Sequence, residues 1–176
     1  MLDAGLFEKV PMPSHAIALH VDPTLASNKI GFTEGVYNAA TDSVDITVFG
    51  KGGHGAYPHT AKDPIVLACQ IVLALQTIVS REVDPSQPTV ITVGSIHGGS
   101  KHNVIPSEVK LQLTVRTRSE EVRKQVLEAI SRITKATAIA AGMPKELEPK
   151  IEILDGSTPV LINNVELVRR TTAAIG

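Results

Sequence analysis

Apolar and polar residues alternate over VDITVFG at positions 44–50: Val44, Ile46 and Val48 fall on one face, Asp45 and Thr47 on the other. A period of two predicts a half-buried strand. The alternation returns at 109–117, where Val109, Leu111, Leu113 and Val115 face one way. Thr89 to Ile96 is rich in β-branched residues and reads as a further strand. Two helices separate these runs. The first opens at Asp63-Pro64, where Asp63 can cap free backbone N–H groups and Pro64 fits the first helical position. It runs to about Arg81 and is apolar nearly all round, which predicts cover on more than one side. The second is capped by Ser119, carries Glu120 and Glu121 in its first turn, and ends near Ala141 before Gly142 and Pro144.

Ile151 to Leu154 form a last strand, and Asn164 opens another helix. Ahead of all these, HAIALHV at 15–21 has the length of a strand, and 29–33 reads as a second short one. From residue 44 to 154 the order is strand, helix, strand, strand, helix, strand. That order predicts an α+β fold, a ferredoxin-like two-layer sandwich with a four-stranded antiparallel sheet and two helices on one face. Its free edge could pair with a second copy and make a dimerisation module. MLDAGLFEKVP reads as a helix tail stopped by Pro11 and Pro13, and TTAAIG lies within a helical stretch. Both ends lead to the expectation of a segment from a longer protein.

Composition narrows the function classes. Aromatics make up 3% of the chain and Trp is absent, so the core must be Val, Ile, Leu and Ala. A net charge of −1 gives no field that favours nucleic acid or an anionic membrane surface. No continuous apolar run reaches the roughly 18 residues of a membrane span, and MLDAGLFEKV has no leader pattern. One Cys excludes an internal disulfide framework and fits a reducing, cytoplasmic setting. Cys69, inside an apolar helix, reads as a small core residue rather than a nucleophile.

The residues able to do chemistry sit in loops. Six His form three pairs: His15 and His20, His54 and His59, His97 and His102. By itself a His at a strand end is more often structural than a metal ligand, and two His five apart on a loop have no fixed geometry. Gly52, Gly53 and Gly55 point to close backbone approach or positive φ. GKGGHG lacks the spacing of a phosphate loop. Arg116 is either a solvated strand residue or a planar fork that grips a carboxylate.

GKGGHGAYPHTAKDPI, then the GG-x-x-x-NVIP stretch, then LQLTVRTR resemble the zinc-dependent amidohydrolases. That family includes aminoacylase, succinyl-diaminopimelate desuccinylase, hippurate hydrolase and the indoleacetyl-amino-acid hydrolases. ALHVDP, ahead of the Gly-rich loop, points to the hippurate and indoleacetyl branch. The resemblance spans essentially the whole chain. It implies a lid or dimerisation domain at 44–154, the end of one catalytic-domain segment at 1–43 and the start of the returning segment at 155–176. His20 matches a metal-binding His of a two-metal centre, with zinc as the first choice and manganese or cobalt as alternatives. His54 matches the lid His that stabilises the oxyanion, in many members within the partner subunit's site. Asn103 matches a lid Asn that helps hold substrate or oxyanion. Arg116 matches the Arg that binds the substrate carboxylate. Tyr57 and His59 lie in the motif as substrate-contacting residues. His15, His97 and His102 match no functional position.

The implied substrate is an N-acyl amino acid or small peptide-like amide, and the implied assembly is a homodimer through the lid. The family's HxCGHD segment, its Glu-Glu pair and its last metal-binding His have no counterpart in the chain. One implied ligand is therefore present, the general base is missing, and the chain alone is expected to be inactive. A small-ligand regulatory domain of similar fold is the rival, and ALHVDP speaks against it.

Overall fold

The computed structural model describes residues 4–175 and divides into two compact units, Met1–Phe32 and Thr33–Gly176. The first unit contains one helical turn, α1 (Leu6–Lys9), entered through Gly5 at φ 72°. Residues 15–21 form no strand, and neither do residues 29–33. A strand exists only as part of a pair, and the described residues of this unit supply no partner ladder. Ile17, Leu19 and Val21 therefore stand exposed in extended backbone.

The second unit holds the sandwich. Its strands are β1 (Gly35–Asn38), β2 (Ala40–Phe49), β3 (Gly53–His54), β4 (Thr89–Gly98), β5 (Val104–Ile105), β6 (Glu108–Thr117), β7 (Lys150–Ile153) and β8 (Leu161–Asn163). Its helices are α2 (Pro64–Thr77), α3 (Glu120–Ala140) and α4 (Val165–Ile175). The main sheet has the order β4-β6-β2-β7, antiparallel throughout. With α2 and α3 both packed on one face, this is the ferredoxin-like arrangement that the alternation predicts. β1 pairs with β8, and Thr41 bridges Thr158, so the chain before the sandwich returns to the chain after it. The short strands β1, β3, β5 and β8 carry too few residues for a legible period.

The core is aliphatic. Val44, Ile46 and Val48 of β2 and Val109, Leu111, Leu113 and Val115 of β6 meet Leu67, Ile71 and Leu75 of α2 and Val126, Ile130 and Ile133 of α3. The caps follow the sequence. Asp63 Oδ1 accepts from the Ile65 N–H at 2.9 Å, and Ser119 Oγ accepts from the Val122 N–H at 3.2 Å. Gly142 at φ 67° ends α3: its N–H donates to the Ile139 carbonyl and the Met143 N–H to the Ala138 carbonyl, a Schellman closure.

One core position on β2 is charged. Asp42 is buried and accepts from Arg123 Nε and Nη2 of α3 at 2.8 and 2.7 Å, and Arg123 Nη1 also donates to Glu120 at 2.8 Å. This pair ties the start of β2 to the first turn of α3.

Helix α2 departs from expectation in three ways. A five-residue π turn, Ile78–Glu82, extends it, and Pro64–Glu82 is then long and apolar enough to cross a membrane by length and composition. The expectation of no such segment fails because Gln and Thr interrupt the apolar run without adding charge. Here the helix lies on the sheet, with Leu67, Ala68, Ile71, Leu75 and Ile78 buried. Its opposite side is bare, with Val66 55% and Leu73 72% exposed, so within the chain it is covered on one side only. Cys69 lies on that bare side and is exposed, contrary to its reading as a core residue. A helix apolar all round does not reveal which face its own chain covers.

Candidate functional site

The Gly-rich segment folds into a closed loop. Lys51 and Lys62 exchange backbone hydrogen bonds at 2.9 Å each way, so the loop leaves the sheet and returns at one point. It is fastened to the stretch before β6. Gly50 N–H donates to the Ser107 carbonyl at 2.8 Å, β3 pairs with β5, and Gly55 N–H donates to the Asn103 carbonyl at 2.8 Å.

The glycines are needed for contact. A Cβ on Gly50 would sit 2.5 Å from the Lys62 carbonyl oxygen, and one on Gly55 would meet the Asn103 carbonyl oxygen at 3.1 Å. None of Gly50, Gly52, Gly53 and Gly55 has positive φ, so of the two readings close approach holds.

This fastening brings His54, Tyr57, His59 and Asn103 into one neighbourhood. The Tyr57 N–H donates to the His54 carbonyl at 2.8 Å, and the Tyr57 ring lies 5.7 Å from His54 and 6.3 Å from His59, centroid to centroid. Thr60 Oγ1 donates to the Tyr57 carbonyl at 2.8 Å and stiffens the turn. All four side chains are exposed.

The imidazole of His54 has a defined polarity. The Ala56 N–H donates to Nδ1 at 3.1 Å. Nδ1 must then be the acceptor, so the neutral ring carries its proton on Nε2 and presents a donor outward. His20, in the other unit, is the reverse. Its Nδ1 lies 2.6 Å from the Val21 carbonyl oxygen, which can only accept. Nδ1 therefore holds the proton, and the neutral ring leaves the Nε2 lone pair free, the tautomer in which metal-binding His residues are held. Among the described residues no group of three or more His, Cys, Asp or Glu could hold a metal ion. One imidazole fits a ligand role, but the chain's described residues do not build a metal centre.

Arg116 stands apart from the loop. It lies on the helix-free face of β6, opposite Val90 of β4 and Thr41 of β2. The His54 loop adjoins the other end of that strand, where Phe49 pairs with Glu108. Eight residues at roughly 3.3 Å each separate Glu108 from Arg116, about 26 Å along the strand.

An open groove of about 890 Å³ borders His54. Val104, Ile105 and Pro106 give it apolar lining, and His97, Glu108 and Lys110 give it charge and hydrogen-bonding groups. His97 matches no functional position in the resemblance, and Lys110 belongs to none of its motifs. The signal that joins them is register: they are directly opposed across β4 and β6, which only the pairing reveals.

The model of the peptidase dimerisation domain matches residues 40–142. The N-acyl-L-amino acid amidohydrolase of Geobacillus stearothermophilus is 39% identical over 176 residues, covering 97% of this chain and 47% of that protein. The hippurate hydrolase of Campylobacter jejuni is 38% identical over 168 residues, covering 96% and 42%. The solved structure of a putative aminohydrolase from methicillin-resistant Staphylococcus aureus superposes with a TM-score of 0.76 at 31% identity, covering 89% of this chain and 40% of that one. The chain thus spans less than half the length of these relatives. Enzymes of this family are generally metal-dependent. The chain belongs to the M20 family of peptidases, aminoacylases and N-acyl amino acid deacetylases, and residues 40–142 are its dimerisation domain.

Proposed function

We propose that the chain is the lid and dimerisation segment of a metal-dependent amidohydrolase that cleaves the amide bond of N-acyl amino acids or small peptide-like amides. The observation that carries this reading is the Ala56 N–H to His54 Nδ1 hydrogen bond, which fixes His54 as a neutral Nε2–H donor on an exposed loop. When water adds to an amide carbonyl, the oxygen gains negative charge. A donor already aimed at that oxygen stabilises the transition state more than the substrate, and loss of one such donor typically costs about 10²–10³ in turnover. Asn103, held beside His54 through the Gly55–Asn103 backbone bond, can supply a second donor from its side-chain amide. Tyr57 and His59 wall the loop and fit contacts to the substrate.

His20 is suited to take one coordination position of a two-ion centre, zinc first and manganese or cobalt as alternatives, since its Nε2 lone pair is free. The bound ions would supply Lewis acidity and an activated water. The other ligands and the general base would come from a catalytic part that these residues do not provide. A single Cys, exposed and unpaired, fits a reducing cytoplasmic setting.

We further propose a homodimer through β4 and α2. β4 is a ten-residue edge strand with one side unpaired, whereas the opposite edge, β7, has four residues. α2 packs on β4 and β6 and presents Val66 and Leu73 outward, so edge and helix form one continuous strip for a second copy. Such a dimer resolves the separation of His54 and Arg116. Arg116 lies about 26 Å along β6 from Glu108, at whose end of the strand the His54 loop adjoins the sheet. That is too far for Arg116 and His54 of one chain to grip the same small amide, so the carboxylate-reading Arg116 would serve the His54 loop of the other copy.

A chimera tests the catalytic part of this reading. Residues 40–142 replace the corresponding segment of the G. stearothermophilus amidohydrolase, and hydrolysis of N-acetyl amino acids is followed. The expected result is an active chimera that loses about 10²–10³ in kcat on His54→Ala. An active chimera whose His54→Ala variant keeps full turnover contradicts the oxyanion role.

A further inference from the structure

The groove beside His54 has a polar wall that the family resemblance does not account for. His97 of β4 and Lys110 of β6 are directly opposed across the ladder and share the helix-free face. Directly opposed side chains start about 5 Å apart at Cβ, so the imidazole and ammonium can act on one ligand group. Glu108 is the one carboxylate lining the groove. It lies 3.6 Å from Lys110 Nζ, beyond hydrogen-bond length, and both side chains are about half exposed or more (48% and 62%). Such a pair is weak, and it leaves the ammonium donors free to turn to a ligand. Val104, Ile105 and Pro106 give the same groove apolar surface, and Val104 pairs directly with His54. The groove's size suits a small-molecule site.

We propose that His97 and Lys110 are specificity-determining residues: the groove receives the amino-acid side chain of the substrate and favours one that ends in a carboxylate. This rests on the reading of His54 as the mark of the scissile amide, with the substrate's α-carboxylate assigned to Arg116 of the second copy. The aliphatic stem of the side chain then runs along Val104 and Pro106, and its terminal carboxylate meets Lys110 and His97. A neutral side chain of the same shape makes the apolar contacts but not the ionic one.

The test uses the 176-residue chain and two probes that differ only in charge, N-acetyl-L-glutamate and N-acetyl-L-glutamine. Histidine-ring signals are followed by long-range ¹H–¹⁵N correlation during titration, with His97→Asn used for assignment. The expected result is that the glutamate probe shifts His54 and His97 together, with an affinity about fivefold above that of the glutamine probe. Lys110→Met abolishes that difference, and Glu108→Gln widens it. Equal affinities for the two probes, or a difference that survives in Lys110→Met, overturn the proposal. Shifts at His54 without His97 overturn it while leaving the His54 site standing. No shift at either ring overturns both readings.

Discussion

Arg123→Met should destabilise the sandwich by about 3 kcal/mol, because it leaves the Asp42 carboxylate buried without its partner. Asp42 is 1% exposed and receives two Arg123 hydrogen bonds, at 2.8 and 2.7 Å. Removing one member of a buried pair typically costs about 3–5 kcal/mol. The Arg123 side chain is 24% exposed, which places the cost at the lower end. The hydrogen bonds from Asp42, then from Glu120, raise the Arg123 guanidinium above its ordinary value. It stays charged at all pH values where the protein folds, so the loss is expected to be independent of pH near neutrality. Urea unfolding followed by circular dichroism reads the change, and about 3 kcal/mol lowers Tm by roughly 6–12 °C in a domain of this size. The double variant Asp42→Val/Arg123→Met removes both charges and should recover to within about 1 kcal/mol of the parent, since well-packed apolar replacements of ion pairs are often neutral or better. A single variant that costs under about 1 kcal/mol, or a double variant no better than the single, refutes the reasoning that an orphaned carboxylate is what destabilises the fold.

Other perturbations test separate features. Thr134 Oγ1 of α3 is buried with no hydrogen-bond partner, so Thr134→Val should stabilise by about 1 kcal/mol in the same urea assay. Leu73→Arg should leave the fold intact because Leu73 is largely exposed, yet weaken self-association by about 10–100-fold in sedimentation velocity, since the strip would then bury an unpaired charge. The two hydrogen bonds from Arg169, 3.0 Å each, hold the Glu34 carboxyl below the usual carboxylate range. A depressed carboxylate contributes stability above its unfolded value and loses it as pH falls through the folded one. Amide protection in α4, measured against the intrinsic exchange rate at each pH, should therefore fall as pH drops below the ordinary carboxylate range in the parent, and Glu34→Gln should remove that acid-side change.

The parts of the fold legible in the sequence are those where one local rule acts alone. Alternation at Val44–Val48 and Val109–Val115 found the two central strands, and Asp63, Ser119 and Gly142 bounded the helices through hydrogen bonds within a few residues. Asp42 was hidden because a charge on a core face breaks the alternation, and its partner Arg123 lies 81 residues on. Residues 15–21 carry the apolar content of a strand, but pairing is a property of two segments, and no partner ladder exists among the described residues of their unit. The exposure of Cys69 was unreadable for the same reason: composition says that α2 is apolar all round, and only tertiary packing selects the covered side. At the candidate site, the family resemblance named His54, Tyr57, His59 and Asn103, which the loop gathers together. It named Arg116 without revealing the strand length between it and His54. Nor could it reach His97 and Lys110, which become neighbours through register alone.

The most direct test of the account is complementation between two inactive chimeras, one carrying His54→Ala and the other Arg116→Ala. Each homodimer should be nearly inactive. If one site is built from His54 of one copy and Arg116 of the other, a mixed dimer has one site with both residues intact and one with neither. Statistical mixing then restores about a quarter of the parent activity, since half the dimers are mixed and each has one working site. If the two residues served the same copy's site, every site in the mixed dimer would lack one of them. Activity no higher than that of the separate variants would contradict a site built from His54 of one copy and Arg116 of the other.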